Sequence, residues 1–422
     1  MEKLVNHDVV IIGGGPAGMA AACRVWDTGV KDVVIIDREP SVGGILKQCV
    51  HSGFGLHKLG RELTGPEYAA EYAKRVCERN IKVYSDTMVI DINKDKLVVA
   101  TNRQGILRIQ AKAVILAMGC RERSRGALNI PGTRPAGIFS AGTAQKLINC
   151  QGYSVGKRVV ILGSGDIGLI MARRMTLEGS KVEAVCEIMP YSGGLTRNIV
   201  QCLEDYGIPL YLSHTVAQIH GKTRLEGVTI AKVDGNRQII EETKRYIPCD
   251  TLLLSVGLIP ENELTKMAGI DIDPVTGGAI VFQDRQTTVP GIFACGNVLQ
   301  VHDLVDYVSD EAEIAGSGAA AYVMNEAHND SENVIDVKPG ENIRYVLPQK
   351  LNISDTQSKV DLYMRVTEPM PRTLFTVCDD KGNVISKNIK MRAMPGEMEK
   401  ISVDLSLIRD AGSIVVKGET TK

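Results

Sequence analysis

The stretch that most restricts this chain lies at its start. Asp8-Val9-Val10-Ile11-Ile12 reads as a short buried strand, and Gly13-Gly14-Gly15-Pro16-Ala17-Gly18 turns directly into a helix over 19–27. In such a GxGxxG turn Gly13 allows the tight turn. Gly15 lets the backbone approach a pyrophosphate without a Cβ in the way, and Gly18 lets helix pack closely on strand. The first helical amides then point at the phosphates, where the helix dipole favours negative charge. A second strand over 32–36 ends on Asp37, followed by Arg38. An acid there can accept hydrogen bonds from both hydroxyls of an adenosine ribose.

The pattern repeats. A strand over 157–162 leads into Gly163-Ser164-Gly165-Asp166-Ile167-Gly168 and a helix over 169–178, and the strand 181–186 ends on Glu187. One dinucleotide fold needs one fingerprint. Two imply two adenine dinucleotides, placed so that electrons pass between them. A carboxylate at Glu187 pairs with a free 2′-hydroxyl and repels a 2′-phosphate, and Met189-Pro190-Tyr191 supplies no base, so NAD(H) is favoured over NADP(H).

Each half also carries an apolar strand that ends in glycine. Ala113 to Gly119 is one, including Ala117, and Leu252 to Gly257 is its counterpart. Such runs suit central parallel strands covered on both faces, with ligand at their carboxyl edge. The expected fold class is therefore α/β, two Rossmann-like dinucleotide-binding domains plus a small C-terminal antiparallel β domain. The expected boundaries are 1–122 with 263–330, 123–262, and 331–422.

Several further segments read as follows. The Gly43-Gly44 pair brings backbone close to the first cofactor. Residues 45–60 read as a loop over the reactive ring, and Lys47, Cys49 and His51 within it are the only candidates for side-chain chemistry. A helix is expected over 67–79, and short strands over 81–91, 96–101 and 106–110. Helix 196–206 and β-rich segments near 209–213, 224–233 and 237–247 follow the second fingerprint. The stretch 287–297 reads as a polar start, a turn and a short apolar strand that ends at Gly296-Asn297, and it leads to a helix over about 310–324. Beyond Ser331, alternating runs between Pro-Gly and Lys-Gly turns suggest a sandwich used for packing or docking.

Bulk properties narrow the function. At 422 residues the chain is long enough for two or three domains. The 49 basic and 50 acidic residues form no long single-sign run, which argues against a nucleic-acid partner. No apolar run approaches the roughly 20 residues that span a bilayer. Met1-Glu2-Lys3 runs straight into the first strand, so a cytoplasmic protein is expected. The 10 cysteines form no CxxC and no metal-ligand spacing; they read as small buried hydrophobes, and no metal site is expected.

Over about residues 6–326 these motifs, in this order, resemble the two-dinucleotide flavoproteins of the pyridine nucleotide-disulfide oxidoreductase superfamily. The resemblance implies that Gly13, Gly15, Pro16, Ala17, Gly18, Asp37, Arg38, Gly43, Gly44, Ala117, Gly119, Gly296 and Asn297 bind FAD. It implies that Gly163, Gly165, Asp166, Ile167, Gly168, Glu187 and Gly257 bind NAD(P). Asn297 stands where the family has an acid; the amide keeps an acceptor and loses the charge. The redox cysteine pair is absent, because the first region offers only Cys49 and the stretch 137–143 has no cysteine. The nearer resemblance is to the NAD(P)/FAD subunits of small multi-subunit dehydrogenases of the opine oxidase and hydrogen cyanide synthase type. Similar chains occur beside a glycerol-3-phosphate-dehydrogenase-like flavoprotein, and Met118 to Arg123 and the 137–148 run look like theirs.

The expected activity is hydride transfer between NAD(P)H and FAD. Electrons would pass to or from a partner flavoprotein within a homo- or hetero-oligomer, or to a small-molecule redox partner. The alternatives are a stand-alone NADH oxidase or peroxidase using Cys49, and a non-catalytic dinucleotide-binding docking subunit.

Overall fold

The computed structural model describes residues 3–325, 333–353, 359–408 and 411–421. The chain divides into two compact units, Met1–Cys120 with Pro260–Lys422, and Arg121–Ile259. The boundary expected at 330/331 lies outside the described residues.

In the first unit the strands Lys82–Tyr84, Val33–Ile36, Lys3–Ile12, Gly105–Leu116 and Ile292–Ala294 lie side by side and parallel. Because side chains alternate along a strand, Val9 and Ile11 join one core, and Val10 and Ile12 the other. The first core is covered by helices Pro16–Thr28, Gly65–Glu78 and Val305–Val323. Small residues set the closeness of that cover. A Cβ on Gly316 would lie 2.7 Å from the Ala21 carbonyl oxygen. The other face lies under an antiparallel meander, Met88–Ile92 and Leu97–Asn102, that pairs with the first half of Gly105–Leu116. Helix Gly65–Glu78 starts on a reciprocal cap: Thr64 Oγ1 accepts from the Glu67 amide, and the Glu67 carboxylate accepts from the Thr64 amide at 2.8 Å.

Several expectations are corrected here. The two strands expected over 106–110 and 113–119 are one, Gly105–Leu116, because it pairs with the meander along its first half and with the parallel sheet along its second. The single strand expected over 81–91 is two, broken at Asp86, whose φ of 46° turns the chain out of the parallel sheet. The last helix of the sheet domain begins at Val305 rather than 310. The loop over 45–60 contains a 3-10 turn, Gly44–Gln48, and the strand Ser52–Phe54, which pairs with Leu63–Thr64.

The second unit repeats the plan. Strands Leu210–Leu212, Lys181–Glu187, Arg158–Leu162, Thr251–Leu254 and Ile138–Ser140 form a parallel sheet, with a three-stranded meander, His214–His220, Gly227–Lys232 and Arg245–Pro248, beside it. Helix Asp166–Leu177 follows the fingerprint. Helix Ala141–Gln151, capped by Ser140, has no counterpart among the sequence expectations. The helix expected over 196–206 stops at Cys202 and tightens into a 3-10 turn. The β-rich segment expected near 237–247 holds a bridge between Val233 and Ile239 and the strand Arg245–Pro248, separated by the 3-10 turn Glu241–Thr243.

The described strands between Val334 and Thr420 form two facing sheets. One has the order Lys350–Asn352, Val334–Pro339, Ser413–Thr420, Met370–Asp379, Val384–Ala393. The other has Ile343–Leu347, Lys359–Val366, Glu399–Asp404. Leu362, Met364, Phe375, Val377, Ile401 and Val416 fill the space between them. Each such side chain, fully buried, contributes about 1.5–3 kcal/mol. Pairing is antiparallel except between Val334–Pro339 and Ser413–Thr420, which run parallel.

Candidate functional site

At the carboxyl edge of the first parallel sheet, the turn after Lys3–Ile12 is packed to contact. A Cβ on Gly13 would sit 2.3 Å from the Ala117 carbonyl oxygen, and one on Gly18 would sit 1.8 Å from the Gly13 carbonyl oxygen. Those two glycines serve the fold. Gly15 differs: no atom lies within 4 Å of the place its Cβ would take, so the turn presents bare backbone outward. It precedes the first turn of helix Pro16–Thr28, where free amides and the helix dipole attract phosphate. Gly43 donates its amide to the Gly14 carbonyl at 2.8 Å, and Gly44 lies against the Gly15 backbone. This cradle fits a pyrophosphate.

Asp37 closes the cradle. It is 7% exposed, and its two oxygens accept from the Gly14 amide at 2.6 Å and the Glu39 amide at 2.8 Å. One acceptor position on each oxygen remains for a ribose hydroxyl. Arg38 is exposed.

The second unit carries the same device. Glu187, 8% exposed, accepts from the Ser164 amide at 2.9 Å, the Ser164 hydroxyl at 2.7 Å and the Met189 amide at 2.9 Å. Donor and acid are 23 residues apart in both halves. The Gly163 and Gly168 positions are again closed by backbone, at 2.0 Å from the Ser255 carbonyl oxygen and 2.7 Å from the Gly163 carbonyl oxygen. Asp166 starts the helix and fixes the following loop, accepting from the Leu195 amide at 2.8 Å and Asn198 Nδ2 at 2.6 Å. Gly257, like Gly119, has a positive φ with open space about it.

One pair of residues went unread in the sequence. Gly193-Gly194 stands as far past Glu187 as Gly43-Gly44 stands past Asp37, and it folds onto its own fingerprint. The Gly193 amide donates to Ser164 Oγ at 3.2 Å, and a Cβ on Gly194 would lie 2.9 Å from the Ser164 carbonyl oxygen. The equal spacing was visible; only its meaning was not.

Behind Gly296-Asn297 lies a buried polar cluster that no motif signals. Glu311, 1% exposed, accepts from the Gly296 amide at 2.9 Å, Gln300 Nε2 at 2.8 Å and His302 Nε2 at 2.8 Å, and pairs with Arg285 Nε at 3.4 Å. Burial by itself raises the Glu311 carboxyl, but His302, Arg285 and Gln300 outweigh it and hold the group below its ordinary value. Asn297 Oδ1 accepts from the His302 amide at 3.0 Å, and its Nδ2 faces Cys120 Sγ at 3.6 Å. Asp306, in the first turn of Val305–Val323, accepts from the Gly55 and His57 amides at 3.1 and 2.8 Å, tying the 52–58 loop to this helix.

The three candidates for side-chain chemistry are engaged locally. Lys47 Nζ donates to the Ser41 carbonyl at 2.8 Å, the Cys49 thiol to the Ile45 carbonyl at 3.4 Å, and the His51 ring meets the Ser52 carbonyl at 3.0 Å. All 10 cysteines are free thiols. Burial pushes Cys23 up to about 11 and both Cys186 and Cys249 up to about 12, which leaves them protonated and unreactive. Among the described residues no group of His, Cys, Asp or Glu could hold a metal ion, and no helix is long and apolar enough to cross a membrane.

Two acid-closed cradles on two parallel sheets define a protein shaped for two adenine dinucleotides. A family model described as pyridine nucleotide-disulphide oxidoreductase matches residues 7–324, and the chain belongs to that family of FAD-dependent NAD(P)H oxidoreductases. It is similar to a component chain of the opine oxidase of Agrobacterium tumefaciens, 26% identical over 342 residues, which cover 74% of this chain and 63% of that protein. It is also similar to hydrogen cyanide synthase subunit HcnB of Pseudomonas aeruginosa, 25% identical, over 63% of this chain and 60% of that one. The chain thus spans less than two thirds of the length of these two relatives. The solved structure of T. acidophilum thioredoxin reductase shares the fold, with a TM-score of 0.60 and 24% identity over 76% of this chain and 98% of that one.

Proposed function

We propose that this chain is an NAD(H)-linked FAD oxidoreductase that exchanges electrons with a partner flavoprotein dehydrogenase subunit. Glu187 carries the cofactor preference. Its carboxylate is buried and already fixed by the Ser164 and Met189 amides, so it cannot swing away from a 2′-phosphate. The following residues, Ile188 to Ser192, contain no base, and Arg197 is exposed on helix Thr196–Cys202. A 2′-hydroxyl is accepted there and a 2′-phosphate repelled.

When bound, the two cofactors supply hydride transfer between nicotinamide C4 and flavin N5. The chain supplies position. Gly15 admits one pyrophosphate and Gly165 the other, each backed by a second glycine that packs on its turn, Gly44 and Gly194, and Asp37 and Glu187 orient the two adenosine ribose rings. No side-chain acid or base is required, in keeping with the local engagement of Lys47, Cys49 and His51. The partner assignment is supported by the names of two relatives, one a subunit of an opine oxidase and the other a subunit of a hydrogen cyanide synthase.

The test is reduction of the FAD-loaded chain, without oxygen, by NADH and by NADPH in parallel. NADH is expected to reduce it with a second-order rate constant at least about tenfold larger, the scale of one unfavourable charge contact. Equal rates, or faster reduction by NADPH, would overturn the cofactor assignment. Rapid reoxidation by oxygen alone at the catalytic rate would overturn the partner assignment.

A further inference from the structure

The buried side chains that leave the C-terminal β domain do not stop at its surface. Arg365, on strand Lys359–Val366, is 9% exposed and directs its guanidinium into the loop that joins Asn297 to helix Val305–Val323. Its Nη2 donates to the Val301 carbonyl at 2.9 Å and pairs with Asp303, while Nε faces the Tyr345 hydroxyl at 3.3 Å. The same domain holds Asp303 a second time, through the Met398 amide at 2.7 Å.

Val301 and Asp303 flank His302. The His302 amide is the group that holds Asn297 Oδ1, and its ring bonds Glu311, which in turn holds the Gly296 amide. Arg365 therefore fixes the two residues that flank His302 in the backbone, and His302 in turn is hydrogen-bonded to Asn297 and, through Glu311, to the Gly296 amide. Arginine suits this post because its planar fork makes these contacts through all three nitrogens, Nη2 to Val301 and Asp303, Nη1 to the Pro395 carbonyl at 3.3 Å and Nε to Tyr345, a spread that the single ammonium of lysine cannot reproduce. We propose that Arg365 is a positioning residue for the flavin turn, so that the C-terminal β domain is part of the FAD site rather than an appendage to it. The proposal rests on the assignment of Gly296-Asn297 to FAD.

Arg365→Lys keeps a cation opposite Asp303 and gives up the fork, whereas Arg365→Met removes both. Each is made in the full-length chain, alone and together with Asn297→Ala. FAD affinity of the deflavinated protein, the visible flavin spectrum and the melting temperature of the apoprotein are then recorded. Arg365→Lys is expected to weaken FAD binding about three- to tenfold, the scale of one hydrogen bond, and to alter the flavin spectrum. Arg365→Met is expected to weaken binding further; should it not fold, Arg365→Lys decides. In the Asn297→Ala background the Arg365→Lys loss should largely vanish, since the group being positioned is already gone. Losses that simply multiply in the double variant would overturn the proposal, as would native FAD affinity and spectrum in Arg365→Lys. A wild-type chain that refuses FAD overturns the flavin assignment and the proposal together. One that binds FAD while Arg365→Lys behaves as wild type overturns the proposal alone.

Discussion

Gly15→Ala separates the two duties a fingerprint glycine can have. Gly15 sits at φ −73° and ψ −173°, extended backbone open to any residue, and nothing lies within 4 Å of its would-be Cβ. Alanine at a helix N-cap costs about 1 kcal/mol relative to better capping residues. Restricting the unfolded chain returns about 0.4–1 kcal/mol. The apoprotein should therefore change in stability by less than about 1 kcal/mol. The added methyl instead stands where a pyrophosphate would rest. Forcing one methyl group into a packed contact costs about 1–3 kcal/mol, roughly 5- to 150-fold in FAD affinity. Gly18→Ala provides the contrast, because its Cβ would lie 1.8 Å from a backbone oxygen that cannot rotate away. It should cost the apoprotein at least about 3 kcal/mol, the upper end for overpacking. Urea unfolding of deflavinated protein, free of the stabilisation a ligand adds, measures the first quantity, and flavin titration the second. A Gly15→Ala apoprotein as damaged as Gly18→Ala would refute the reasoning, and so would one that binds FAD as tightly as wild type.

Gly165→Ala, also at an extended N-cap with only Ser255 Oγ nearby at 3.8 Å, should leave FAD content unchanged and raise the NADH concentration needed for half-maximal reduction about tenfold. Cys49→Ser should leave NADH-driven flavin reduction within about twofold, measured by stopped flow, since its thiol bonds the nearby Ile45 carbonyl, a contact a hydroxyl can replace. The Glu311 carboxyl is held below its ordinary value in the folded chain, so it stabilises the fold above about pH 4.5, the unfolded range, and that contribution is lost as pH falls through the folded value. Glu311→Gln should therefore be less stable at pH 7 and lose less stability on acidification; urea midpoints at pH 7, 5 and 4 test this, and identical pH slopes would contradict it.

The parts of the fold that follow local rules were legible. The strand, glycine turn, helix and closing acid recur twice because close packing restricts those positions whatever surrounds them. Gly13, Gly18, Asp37, Gly163, Gly168 and Glu187 all occupy the edge their spacing predicted. Boundaries failed where tertiary pairing decides. Gly105–Leu116 reads as two strands because its pattern changes from half-exposed to fully buried midway, yet both halves serve one sheet. The second strand of the parallel pair in the β domain, Ser413–Thr420, has no nearby turn partner and is placed by residues far away in sequence. The cluster behind the Gly296-Asn297 turn was invisible for the same reason. Arg285, His302, Glu311 and Arg365 come from separate segments, and nothing in their spacing brings them together.

The claim on which everything else stands is that one chain holds both a flavin and a nicotinamide, each in its own glycine-lined, acid-closed cradle. The most direct measurement is flavin content of the gently purified full-length protein, followed by NADH addition in the absence of oxygen. One FAD per chain, with the visible flavin band bleaching as one equivalent of NADH is added, is the predicted result. A colourless protein that rejects added FAD, or a bound flavin that NADH leaves oxidised, would contradict it.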